Sequence, residues 1–151
     1  GHTARLSMYY GKAIVGIEQN CGIDQIRHLR NVGIPIHKRR ALSARTNQTV
    51  EMDGFRMGDK QERNALIEGW AAAIRTREVD IPCLHFIGEL FTFITRVSGR
   101  AEAAQGHHDD DVLCGCIAWE LMPNATEYRA DRLRTDENPP DHAGWRMTKI
   151  L

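Results

Sequence analysis

Five apolar residues of β-type composition, Ala13-Ile14-Val15-Gly16-Ile17, run directly into Glu18. A strand that is apolar at every position, rather than at every second one, must be covered on both faces. Polar residues just past the C-terminal end of such a strand fall where α/β sheets place their sites. Here those residues are Glu18-Gln19-Asn20-Cys21-Gly22. The chain has 151 residues. That length suits one domain able to bury about two thirds of its unfolded surface.

Strand and helix patterns alternate along the chain, which predicts a mixed α/β sheet domain. Residues 3–10 read as the end of a helix entering the 13–17 strand. Residues 23–32 read as a helix stopped by Gly33, and 34–36 as a short extended piece. Residues 37–58 form a long polar connection, expected to be mobile. Residues 60–75 carry the longest helical pattern, with Leu66, Ile67, Trp70, Ala71 and Ile74 on one face. Residues 79–82 are extended, 84–90 a helix, and 91–97 an aromatic and β-branched strand. After a turn at 98–100 and an acidic cluster at 107–111, residues 112–122 are apolar and helical. The stretch 123–151 reads as a charged appendage.

Twenty basic side chains balance twenty acidic ones. Zero net charge excludes a uniformly basic nucleic-acid coat and an acidic solvating tail, so a charged partner must meet a local patch. Uncharged runs fall far short of the ~18 residues of a membrane span. No signal peptide opens the chain, and Cys21, Cys83, Cys114 and Cys116 are scattered. Together these predict a reduced intracellular compartment and no membrane. The Gly1-His2 start predicts a fragment or a processed chain.

Two carboxylate groups stand out. One is Glu18. The other is Asp109-Asp110-Asp111, at the start of the last helix. Helical spacing puts Asp110 on a core-facing stripe with Leu113, Cys114, Ile117 and Leu121. Asp109 then suits an N-cap, and the helix dipole keeps all three acids ionised. A strand end and a helix start bearing carboxylates suit Mg²⁺ or Mn²⁺, and two such ions cleave phosphodiesters. The same run also fits an over-capped, solvated helix end. Lys38, Arg39, Arg40 and Arg45, with no acid before Glu51, suit a phosphate backbone or a solvated loop. His107 and His108 fit either a metal or solvent. Cys114 and Cys116, two apart on a helix, face different ways and make a poor zinc pair.

Ala13 to Gly22 resembles the strand and Glu-x-Asn-x-Gly signature of the nuclease domain of tailed-phage terminase large subunits. Gly106-His107-His108-Asp109-Asp110-Asp111-Val112-Leu113 resembles their His-Asp-Asp motif opening a helix. Phe55-Arg56-Met57-Gly58-Asp59-Lys60 resembles the segment before their long helix. Ile87-Gly88-Glu89-Leu90-Phe91-Thr92-Phe93, with Gly99 to Ala103, resembles their Glu-Leu-x-x-Phe strand and turn. The likeness covers about residues 5–122, four motifs in order. It implies a ribonuclease-H-like sheet flanked by helices and lacking its first strand, which leaves an exposed edge. It implies a two-metal endonuclease that cuts concatemeric viral DNA during packaging.

By that resemblance Glu18 and Asp110 are catalytic metal ligands, with Asp109 a further ligand and His108 and Asn20 accessory. Lys38, Arg39, Arg40, Arg45 and Lys60 would contact double-stranded DNA. The implied partners are a terminase ATPase domain, a small subunit and a portal, in the cytoplasm of a bacterial host, with a viral or prophage gene. The family also places an aspartate on an earlier strand, so the chain alone should cut poorly. Two other readings fit the same residues. One is a non-catalytic remnant that binds DNA or packaging partners. The other is a different ribonuclease-H-like nuclease, such as a transposase or resolvase.

Overall fold

A computed structural model describes residues 1–21, 23–42, 46 and 48–125. Gly22, Arg45 and most of the 123–151 appendage lie outside the described residues. The described residues are mixed α/β, with five α-helices and two two-stranded antiparallel sheets. They fall into two compact units, residues 1–63 with 121–125, and residues 64–120.

The first unit contains α1 (His2–Tyr9), a 3₁₀ turn (Gln19–Cys21), α2 (Ile23–Asn31), β1 (Lys38–Leu42) and β2 (Thr49–Asp53). Its core joins Ile17, Ile26, Leu29 and Ile34, with Ala4, Val15 and Ile36 against them. The apolar 13–17 run is extended, as expected, and parallel-paired, but of the expected buried strand only Ile17 is buried and Ala13 is exposed. It forms bridges, Val15 to Ile36 and Glu18 to Phe55, rather than a regular strand. Val15 N–H donates to the Pro35 carbonyl, and the Val15 carbonyl accepts from His37 N–H, both at 2.9 Å. Further along, Phe55 N–H donates to the Ile17 carbonyl at 2.8 Å, and Gln19 N–H to the Phe55 carbonyl at 2.9 Å. Gly54 closes this pairing at φ +69°, where a Cβ would stand 2.3 Å from the Ile17 carbonyl oxygen. Only glycine fits such an approach.

Gly33 ends α2 as expected, at φ +72°. Gly33 N–H donates to Arg30 and Ile34 N–H to Leu29, each at 3.0 Å. This is the Schellman pattern, and Ile34 completes it by packing into the core with Leu29.

The 37–58 stretch departs from the expected loose connection. It folds as a β-hairpin, β1 against β2, in register from Lys38–Asp53 to Leu42–Thr49. Cross-strand pairing supplies what apolar composition did not: Arg40 stands opposite Glu51, and Asp53 is buried where the Arg30 guanidinium meets it.

Helix α3 (Lys60–Arg75) begins in the first unit and continues in the second, which adds α4 (Leu84–Thr92), β3 (Phe93–Thr95), β4 (Ala101–Ala103) and α5 (Asp110–Leu121). Leu66, Trp70 and Ala73 are the buried side of α3 in this unit, close to the expected face. The 91–97 strand is shorter than expected. Helix α4 keeps Phe91 and Thr92, and only Phe93–Thr95 pairs with β4. The Thr92 hydroxyl donates to the Glu89 carbonyl at 3.1 Å, extending the last helical turn.

Helix α5 lies in a different phase from that expected. Its buried side is Val112, Gly115 and Cys116, while Cys114 is exposed. The helix is apolar nearly all round, so periodicity selects no face. Packing selects it: a Cβ at Gly115 would stand 2.7 Å from Phe86 Cζ and 3.0 Å from Trp70 Cζ2. The small residue lets α5 approach those two rings. Cys114 and Cys116 do face different ways, as their spacing requires.

Candidate functional site

Glu18 ends the parallel-paired segment of the first unit, half-buried beside Phe55. The backbone then tightens into the Gln19–Cys21 turn. Asn20 Nδ2 donates to Glu18 Oε1 at 3.0 Å, so the second polar residue of the signature orients the first. Gln19 Nε2 donates to the Asp53 carbonyl at 2.6 Å, tying the turn to the base of the hairpin. Below it, His37 and Phe55 stack with ring centroids 5.0 Å apart.

The basic stretch divides by strand alternation. Lys38 and Arg40 lie on one side of β1, with Lys38 Nζ 3.5 Å from Glu51 Oε2. Arg39 points the other way, and its guanidinium lies 3.0 Å from Glu62 Oε2, with 13% of the side chain exposed. Arg39, expected to contact DNA, is thus engaged in a sheltered ion pair. Glu62 also accepts the Arg56 N–H at 2.9 Å, while Asp59 caps α3 by accepting the Glu62 N–H at 2.9 Å. Lys60 is exposed in the first turn of α3.

The acidic run belongs to the second unit. Asp110, expected to face the core, is exposed: its carboxylate lies 3.8 Å from His108 Nδ1, and 86% of the side chain is open to solvent. The rotation of α5 around Gly115 accounts for this. Asp109 precedes the helix in phase with Val112 and Cys116 and accepts the Ala103 N–H at 3.4 Å. Asp109 holds the expected N-cap position, its carbonyl accepting the Leu113 N–H at 2.9 Å, and α4 adds side-chain capping at two positions. Glu89 Oε2 accepts the N–H groups of Asp111 at 2.8 Å and Val112 at 3.3 Å. Each unit thus holds one of the two carboxylate groups, Glu18 in the first and Asp109 to Asp111 in the second.

His85 and Glu89 form a cluster with Asp111 that sequence reasoning did not single out. His85 Nδ1 and Asp111 Oδ2 are 2.7 Å apart. That hydrogen bond, then the charge of Asp111 with Glu89 adding to it, raises the His85 imidazole above its ordinary pKa. The signal was present in the sequence as His85-x-x-x-Glu89 within an expected helix, since residues four apart share a face. No family model, characterised protein or solved structure matches the chain.

Proposed function

We propose that this chain is part of a metal-dependent DNA endonuclease of ribonuclease-H-like architecture. The observation that carries the reading is Glu18, closing a parallel-paired segment with its carboxylate oriented by Asn20. The acidic start of α5, in the second unit, bears hard oxygen donors of its own, Asp109 and Asp110. Oxygen donors of this kind fit Mg²⁺ or Mn²⁺, which take one or two carboxylates and keep waters for exchange with phosphate. When bound, such ions supply an activated water and neutralise the leaving oxygen.

The chain's own residues do the positioning. Asn20 donates to the Glu18 carboxylate and would help to orient it. Lys38 and Arg40, with Lys60, would hold the phosphate backbone. His108, 3.8 Å from the Asp110 carboxylate, would serve as the accessory group there. In the same reading the natural substrate is concatemeric double-stranded viral DNA. The partners are a packaging ATPase domain, small subunit and portal in a bacterial host cell.

Plasmid nicking tests the reading, using this chain and a form extended upstream by the family's aspartate-bearing strand, with Mg²⁺, Mn²⁺ and EDTA. The extended form should nick plasmid and lose activity in Glu18→Gln and in Asp110→Asn, with DNA binding retained. Asp109→Asn should be milder, because Asn caps a helix about as well as Asp. Full activity in both Glu18→Gln and Asp110→Asn would overturn the reading. Metal-independent DNA binding without cleavage in the extended form would favour the non-catalytic remnant instead.

A further inference from the structure

We propose that His85, Glu89 and Asp111 form a second cation site, separate from Glu18 and Asp110, for a late first-row divalent metal of the Zn²⁺ class. One ligand atom from each residue lies within 4.8 Å of the other two. Ligands on a tetrahedral Zn²⁺, bound at about 2.0–2.2 Å, stand about 3.3 Å apart. The three groups therefore reach that spacing by side-chain movements of the order of 1 Å.

Two elements of one compact unit build the site. Helix α4 presents His85 and Glu89 four residues apart, and the first turn of α5 brings Asp111 to them. Glu89 is only 8% exposed. Its Oε2 takes two helical N–H groups. The α5 N-terminus favours negative charge beside it. His85 is exposed along one side, which leaves an entry path.

The donor set decides the kind of metal. An imidazole nitrogen with carboxylate oxygens favours Zn²⁺, Co²⁺ or Ni²⁺ over Mg²⁺. On binding, the ion takes the place of the proton between His85 Nδ1 and Asp111; the imidazolium releases it to solvent, whereas in the neutral ring it is carried instead on Nε2. The two carboxylates balance the charge of the ion.

Isothermal titration of the EDTA-stripped full chain with Zn²⁺ tests this, beside an absorbance titration with Co²⁺. One saturable equivalent is expected, with a Co²⁺ spectrum free of any sulfur-to-metal charge-transfer band. His85→Ala, Glu89→Gln and Asp111→Asn should each weaken binding at least as much as the roughly 10–100-fold lost with an outer-shell partner. Glu89→Gln retains an oxygen for the Asp111 and Val112 N–H groups, so its helix content and melting temperature should stay close to those of the parent. No saturable binding, wild-type affinity in His85→Ala, or a sulfur band would each overturn the proposal. These outcomes are independent of Mg²⁺-dependent nicking and of the Glu18→Gln variant.

Discussion

Replacing Gly115 with alanine separates helix propensity from packing at the centre of the second unit. In a helix interior, glycine to alanine gains about 0.5–1 kcal/mol, because alanine loses less backbone freedom on folding. At Gly88, inside α4, a Cβ would meet nothing within 4 Å, so Gly88→Ala should show that gain undiminished. Gly115 also lies inside a helix, but its new Cβ would meet Phe86 Cζ at 2.7 Å and Trp70 Cζ2 at 3.0 Å. Neither ring can swing into solvent, since Phe86 is 0% and Trp70 2% exposed. Overpacking of this kind costs about 1–3 kcal/mol. The net for Gly115→Ala is thus a loss of about 0–2.5 kcal/mol, against a gain for Gly88→Ala. The two variants should differ by about 1–3 kcal/mol, the packing contribution alone. Urea denaturation followed by circular dichroism measures both, with the slope checked for constancy so that midpoints report stability. If Gly115→Ala were stabilised as much as Gly88→Ala, α5 would not pack on those rings, and its phase would be wrong.

His85 should titrate, by NMR, above the ordinary histidine range, because Asp111 favours its charged form. Asp111→Asn should bring the midpoint down; an unmoved midpoint would exclude the contact. Since the folded-state pKa is raised, the contribution to stability is fully present below the unfolded value and disappears as pH rises through the folded one. Lys38→Ala with Arg40→Ala should lower the slope of log affinity for duplex DNA against log salt by about 1.8, if each neutralises one phosphate. Arg39→Ala should leave that slope alone and reduce stability by stranding Glu62; the reverse pattern would put Arg39 on the DNA.

Local, periodic features were legible in the sequence. Trp70 and Leu66 mark the buried side of α3 because residues three and four apart must share a face. Gly33 announces the end of α2 because a left-handed C-terminal residue is least strained as glycine. The unbroken apolar run before Glu18 announces an extended segment, and the structure pairs it in parallel, but only Ile17 in it is buried and Ala13 is exposed. Tertiary structure decided what depends on residues far apart in the chain. The 38–53 hairpin has charged strands, so its stability lies in cross-strand pairs that no single segment displays. The phase of α5 follows from the fit of Gly115 against Phe86 and Trp70, because a helix apolar on nearly every side carries no preference of its own. The same rotation exposes Asp110 and brings Asp111 to His85, while Glu89, 22 residues earlier, reaches the N–H groups that would otherwise need a local cap.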